Sequence, residues 1–415
     1  MRAVQLFRKI DPAEWGGTET AMHRLFSGLQ ETGVTPVIFC PRVPRPGPDP
    51  FTESGFRVER FKAFVPIVGM SQERKRQLVA VGGNLMSFDL ISMLLRERDV
   101  DLVHAHALGR IGAIGRTVAR RRNIPFVVTI HGGLLDLPPA VKASFNAPND
   151  QGFDWGKLFS LLFQSHRLLA DADAVLTCNE REAELLRERH PEKRIVCQPH
   201  AVPIEIYEQN HRDTAMAAWP AIKGRQIILS LGRIDPIKNQ GWLIDRSAPI
   251  LARNPDTMLV LAGACTDEPY GRMIDAKVAG SGFGDRILLT GGLGATDPRL
   301  IGLLQSAAVL VLPSLSETFG LVLLEAWAAG TTVMSSRTSG GQAMIDHGEN
   351  GWLFDLDAPA AFQEKLQLTL SDPQMRKRMA DHGARKARTR YSIGAVASQV
   401  RSLYENLIGE KRCAT

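Results

Sequence analysis

A chain of 415 residues is too long for one compact core and indicates two domains of about 200 residues each. Its 44% hydrophobic and 23% charged residues exclude a disordered chain. The formal charge of +6 is only mildly basic, and no basic run is interleaved with aromatics, so no nucleic-acid partner is expected.

In chain order, the first half reads as short apolar runs, each followed by a small-residue or polar loop and a helical segment: MRAVQLF, TPVIFC, DLVHAH, FVVTIHGG, AVLTCNE and IVCQPH. The proline-rich segment from Pro41 to Pro50 suits neither a helix nor an inner strand and reads as a surface loop. Between about Val202 and Lys223 the strand pattern lapses. It resumes with QIILSLGR, MLVLAGA, RILLTGG, AVLVLPS and TTVMSS. Continuous apolar runs alternating with helices predict parallel strands covered on both faces, hence two doubly wound α/β domains. The expected boundaries are 1–205 and 206–391, with a final helical segment over 392–415. The five cysteines (Cys40, Cys178, Cys197, Cys265 and Cys413) form no CxxC pair. They are expected to be buried small hydrophobes in a reducing compartment, not a disulfide framework or a zinc site. Arg8 and Lys9 interrupt the first apolar run, and Gln305 and Ser306 interrupt the longest one. Neither a signal peptide nor a membrane span is therefore expected, and the location is expected to be cytoplasmic.

Four places carry chemistry. In the segment Ala307 to Gly330 a buried strand should end near Pro313 and a helix begin near Gly320. Glu325 falls inside that apolar helix and Glu317 just before it, eight positions earlier. A buried carboxylate needs a partner or a ligand. The backbone N–H groups from Thr318 through Phe319 and Gly320 to Leu321 are expected to form a helix N-terminus able to receive an anion. Taken alone, the pair reads equally well as a helix cap and a core ion pair. In QIILSLGRIDPIKNQ, Gly232 and Arg233 end a strand and Lys238 follows in the loop. Two cations at the carboxyl end of a parallel strand suit the two phosphates of a diphosphate. Gly16 and Gly17 lie between the first strand and first helix, where backbone approaches a ligand closely. His131 ends the strand of FVVTIHGG.

Together these features resemble the family-four retaining glycosyltransferases of the GT-B fold, and the resemblance covers most of the chain. It implies two Rossmann-like domains with a deep interdomain cleft, and a final helix, from Ser392, that crosses back to the first domain. By the residues that match, Glu317 would bind hydroxyls of a donor sugar and Glu325 the ribose of its nucleotide. Arg233 and Lys238 would neutralise the diphosphate leaving group. His131 would lie near the donor sugar, and Gly16 and Gly17 would close on the phosphates. The chain departs from the family at Ala343 and Met344, soon after Gly340 and Gly341, and at His200 and Ala201 near the interdomain joint. These positions bear on the shape of the donor-sugar pocket and on the hinge.

The implied reaction moves a hexose from a nucleoside-diphosphate sugar (a UDP-sugar first, a GDP- or ADP-sugar as alternatives) to a hydroxyl acceptor. The setting would be polysaccharide, glycolipid or small-molecule glycoside biosynthesis. Two fixed cations and a helix N-terminus would stabilise the leaving group without a metal or other cofactor. The Asp-x-Asp triplets at Asp99–Asp101, Asp171–Asp173 and Asp355–Asp357 are not expected to bind metal. No nucleophile for a double displacement is evident, and the resemblance implies a front-face transfer with retention. The competing readings are a nucleotide-sugar epimerase and a catalytically silent nucleotide-sugar-binding protein of the same fold. Finally, residues 57–122 hold 13 basic against 6 acidic side chains. Within them FKAFVPIVGM precedes Arg74, Lys75 and Arg76, an apolar segment beside a basic one. Two expectations follow: peripheral contact with the anionic inner face of a membrane, or a solvated helix face with Phe61, Phe64 and Val65 in the core.

Overall fold

In the computed structural model, residues 1–12, 15–42, 49–80, 85–132 and 153–413 are described. Most of the proline-rich loop and the second glycine of FVVTIHGG lie outside them, as does the side chain of Arg76. By internal contacts the chain divides into two units, Met1–His200 with Gly394–Thr415, and Ala201–Ile393.

The first unit contains β1 (Arg2–Leu6), β2 (Thr35–Pro41), β3 (Arg57–Phe61), β4 (Ile67–Val68), β5 (Leu102–Ala105), β6 (Phe126–Ile130), β7 (Phe153–Asp154), β8 (Ala174–Thr177) and β9 (Ile195–Cys197). Seven of them form a parallel sheet in the order β3-β2-β1-β5-β6-β8-β9, while β4 and β7 pair antiparallel. All six apolar runs of the first half are strands. The edge strand β3, with sequence RVERF, carries too many charges to be read as one. The order reverses direction between β1 and β5.

The second unit contains β10 (Gln226–Leu231), β11 (Thr257–Ala262), β12 (Ile287–Gly291), β13 (Ala307–Leu312), β14 (Thr332–Ser336) and β15 (Trp352–Phe354). These form a parallel sheet ordered β12-β11-β10-β13-β14-β15, the doubly wound arrangement, with its reversal between β10 and β13. The central strands are buried on both faces: Val309 to Leu312 are at most 2% exposed. Each such side chain contributes roughly 1.5–3 kcal/mol by leaving water. Residues 201–205 group with this unit, as the Val202 N–H donates to the Tyr391 carbonyl at 2.8 Å. The break in contacts therefore falls at 200/201, five residues before the boundary expected from sequence.

Cys40 and Cys178 are buried, as expected for small hydrophobes, but Cys265 and Cys413 are exposed. Among the described residues no helix is long and apolar enough to cross a membrane.

Candidate active site

In the second unit the reversal between β10 and β13 sets the loops after these strands side by side, where doubly wound sheets take their ligands. The β10 loop carries Arg233 and Lys238, and the β13 loop carries Glu317. The loops are joined by backbone: the Leu315 N–H donates to the Ile237 carbonyl at 2.8 Å. Asn239 Nδ2 donates to the Pro313 carbonyl at 3.2 Å, and Gln240 Nε2 to the Arg233 carbonyl at 2.8 Å. Asp235, 7% exposed, shapes the β10 loop. One of its oxygens accepts from the Lys238 N–H at 3.1 Å, and the other lies 3.4 Å from Arg233.

Lys238 Nζ lies 2.5 Å from Glu317 Oε2, with the two side chains 21% and 16% exposed. This ion pair couples the cation of one loop to the carboxylate of the other, an arrangement no local sequence pattern announces. Arg233 projects further, at 61% exposure. The geometry thus supplies two cations and a carboxylate within one half-sheltered crevice, suited to an anion attached to a hydroxyl-rich group.

The helix after Glu317 spans Leu321–Ala328 and is preceded by Gly320 in the left-handed region (φ 84°), which glycine adopts without strain. Thr318 and Phe319 therefore belong to the loop, not to the helix N-terminus expected from sequence; the first helical residue is Leu321. Glu317 is no helix cap, since this N-terminus has no side-chain cap. Glu325 lies in the second turn, 5% exposed. Trp327 anchors that helix: fully buried, it donates to the Asn350 carbonyl at 3.0 Å. The Glu317 loop is braced from beneath by the Gly340 N–H, which donates to the Glu317 carbonyl at 2.8 Å. A Cβ on Gly340 would sit 2.7 Å from Phe319 N and 2.9 Å from Glu317 O, so the close approach requires glycine. Ala343 and Met344 belong to the short helix Ser339–Met344 that opens with this contact.

In the first unit the corresponding reversal lies between β1 and β5. Gly17 starts the helix Gly17–Glu31 with Gly16 as its extended N-cap, and the Gly16 N–H donates to Glu19 Oε2 at 3.1 Å. His131 directly follows β6. Its Nε2 is 3.0 Å from His106 Nδ1, and its buried Nδ1 has no hydrogen-bond partner among the described residues. Burial, then the neighbouring His200, His104 and Arg8, hold the His131 pKa well below the usual imidazole range, so the ring is neutral. His200, at the expected joint, stacks 6.0 Å from His131, and burial lowers its pKa to about 4. Sequence reasoning passed over His104, His106 and Gln5. The alternation in DLVHAH was the available signal, because a strand covered on both faces should be apolar at every position.

Of the aspartate triplets, Asp171 is held by Arg116, Arg120 and Arg167, and Asp173 accepts from the Phe126 N–H at 2.8 Å. Among the described residues no cluster of three His, Cys, Asp or Glu side chains is placed to hold a metal ion.

Two family profiles match in succession: glycosyl transferase 4-like domain over residues 16–199 and glycosyl transferases group 1 over residues 211–386. The chain is 28% identical to the D-inositol 3-phosphate glycosyltransferase of Corynebacterium glutamicum over 372 residues, covering 83% of this chain and 81% of that protein. The Corynebacterium urealyticum enzyme of the same name is 26% identical, over 98% and 96% of the two chains. Among solved structures, Anabaena Alr3699/HepE in complex with UDP superposes with a TM-score of 0.73 at 16% identity, over 98% of this chain and 100% of that one. Sucrose-phosphate synthase from Thermosynechococcus elongatus gives 0.72 at 22% identity, over 99% of both. Together the two profiles span most of the chain, and both sheets have the Rossmann-like order: the protein belongs to the group 1 glycosyltransferases, with the GT-B fold.

Proposed function

We propose that this glycosyltransferase transfers a hexose from a nucleoside-diphosphate sugar to a hydroxyl acceptor, with retention of configuration and without a catalytic metal. The Lys238–Glu317 pair at the reversal of the second sheet carries the reading. It puts a positive charge for the departing diphosphate beside a carboxylate able to accept from sugar hydroxyls. Arg233 joins Lys238 on the diphosphate, and Glu325 takes the ribose. Backbone N–H groups from Thr318 to Leu321 meet phosphate oxygens; in the first unit the family resemblance assigns a phosphate to the Gly16–Gly17 turn and a sugar hydroxyl to His131. The leaving phosphate oxygen takes the acceptor's proton on the face from which it departs. A UDP-sugar is favoured as donor because neighbours of the same fold hold UDP and UDP-glucose. The relatives named D-inositol 3-phosphate glycosyltransferase favour a polyol or sugar hydroxyl as acceptor. A panel of UDP-, GDP- and ADP-sugars tests this through nucleoside diphosphate release, with the product anomer read by NMR. Inversion overturns retention, and absence of release from every donor overturns the function.

A second reading concerns where the acceptor resides. Most apolar residues of FKAFVPIVGM are interior: Phe61, Val65, Ile67 and Met70 are buried. Instead, Val68, Phe88, Phe153, Leu158, Leu161 and Leu162 are each more than half exposed. Val68 pairs with Phe153 across β4 and β7, and the three leucines share the short helix Gly156–Leu162 with the exposed Lys157. An apolar surface beside lysine suits an anionic lipid surface bearing a lipid-linked acceptor. Co-sedimentation with phosphatidylglycerol vesicles should be strong at low salt and lost in Leu158→Ser/Leu161→Ser. No binding at low salt favours a soluble acceptor.

A further inference from the structure

One face of the central strands of the first unit's parallel sheet is apolar throughout, whereas the other carries buried polar residues among Ala3, Ile38, Leu102 and Val127. Val4, Leu6, Val103, Ala105, Val128 and Ile130 enter its main apolar cluster. The residues alternating with them or directly following the strands (Gln5, His104, His106, Thr129 and His131) make a polar stripe. Gln5, His104, His106 and Thr129 are at most 8% exposed. Tyr404, fully buried on the helix Ile393–Cys413, joins that stripe. Buried polar groups on adjacent central strands are costly unless their hydrogen bonds are satisfied.

The bonds along the stripe run in one direction. Gln5 Nε2 donates to Tyr404 Oη at 3.4 Å, which turns Gln5 Oε1 toward His106 Nε2, 2.8 Å away. A carbonyl oxygen only accepts, so His106 carries its proton on Nε2 and offers Nδ1 as an acceptor. His131 Nε2, 3.0 Å from that atom, must then be the donor. A neutral His131 is left with a bare lone pair on Nδ1, the buried atom that finds no partner among the described residues. Burial keeps both rings neutral, the mutual proximity of the histidines adding to it. Beyond this, Tyr404 Oη meets His104 Nδ1 at 2.6 Å, and His104 Nε2 meets Thr129 Oγ1 at 2.6 Å, so the anchor is itself tied to the sheet.

We infer that His106, oriented by Gln5 and through it by Tyr404, is a positioning residue that locks His131 in the Nε2–H tautomer. His131 Nδ1 is thereby committed to accepting a hydrogen bond from a hydroxyl of the donor. This rests on the proposed function only for the identity of the ligand; the tautomer is a property of the free protein. The C-terminal helix thus takes part in setting the chemistry of a residue some 270 positions earlier.

Long-range proton–nitrogen spectra of nitrogen-15 histidine-labelled protein at neutral pH read the tautomers directly, with assignments from His106→Gln and His131→Gln. Both rings should appear as Nε2–H in the wild type. Gln5→Met removes the accepting oxygen and should give His106 and His131 mixed tautomers, while Gln5→Glu keeps the acceptor and the wild-type pattern. Tyr404→Phe, which frees the Gln5 amide to rotate, is the second variant should Gln5→Met fail to fold. Turnover should fall about tenfold in Gln5→Met, as for loss of one buried hydrogen bond. UDP affinity should stay unchanged, and Gln5→Glu should restore the rate. A wild-type His131 protonated on Nδ1, tautomers unmoved in both variants, or altered tautomers at full turnover would each overturn the inference. If no nucleotide sugar is turned over, the proposed function fails, while the spectra, which need no substrate, still decide the tautomer.

Discussion

Replacing Lys238 with methionine keeps an unbranched side chain, one heavy atom shorter, and removes the ammonium with its charge and its hydrogen-bond donors. The ammonium sits 2.5 Å from Glu317 in a crevice where both side chains are about one-fifth exposed or less. That degree of shelter corresponds to an effective dielectric near 20, in which two unit charges about 4 Å apart interact by ~4 kcal/mol. Only the part gained as charge builds on the departing diphosphate accelerates the reaction. A share of roughly 3–4 kcal/mol corresponds to about two to three orders of magnitude in turnover, the range seen when one preorganised transition-state contact is lost. Losing the partner of a half-sheltered carboxylate should also cost about 1 kcal/mol of stability. Adding Glu317→Gln should recover part of that, since the two residues act on each other and their effects do not add. Arg233, more exposed and already beside Asp235 at 3.4 Å, should cost less, on the order of tenfold. The assay is release of UDP at saturating donor, with UDP affinity measured by calorimetry on the same variants. Near wild-type turnover in Lys238→Met, with the fold intact, would refute the assignment of this cation to the leaving group.

Three further outcomes are expected. With fixed cations bearing the leaving-group charge, EDTA should leave turnover intact; abolition by chelator with rescue by magnesium or manganese would show a metal at work. Gly340→Ala places a Cβ 2.7 Å from Phe319 N, so it should cost about 1–3 kcal/mol in thermal stability and weaken UDP binding by displacing the Glu317 loop. An unchanged melting temperature would mean that loop is not held from below. Burial lowers the pKa of His200 from 6.5 to about 4 and that of His104 to about 3, so the unfolded chain takes up protons first on acidification. Their stabilisation is complete above about pH 6.5 and is lost as pH falls toward those values, by roughly 3 kcal/mol for each histidine near pH 4. A melting temperature that holds steady from pH 7 to pH 4 would contradict their burial as neutral rings.

The fold was legible because a parallel strand covered on both faces writes a continuous apolar run. All eleven runs named from the sequence are strands, whereas the charged edge strand β3 and the short β15 were not discerned. At the site, Arg233, Lys238 and Glu317 were each legible as residues at carboxyl ends of strands. The contact between Lys238 and Glu317 was not, because it joins positions 79 apart and depends on the order of strands in the sheet. The start of the helix near Gly320 was legible to within a residue; what escaped was that Thr318 and Phe319 lie in the loop, because the left-handed turn at Gly320 delays the first helical residue to Leu321. Gln5, His104 and His106 were visible as polar interruptions of apolar runs. Their partnership is a property of strand register, where Gln5 lies directly opposite His104.

The return of the last helix to the first unit has a consequence for how the protein is made. The first 200 residues leave the ribosome as a nearly complete sheet, but the aromatic hydroxyl that joins Gln5 and His104 belongs to residue 404. At about 5–20 residues per second, synthesis of the intervening chain takes roughly 10–40 s. Throughout that interval the polar stripe on one face of the nascent sheet lacks its tyrosine partner. The second unit is an insertion between two pieces of the first and can fold on its own schedule. Chains released before Tyr404 is made would therefore hold two recognisable units and an open wound along the histidine stripe, a form that quality-control proteases are well placed to remove.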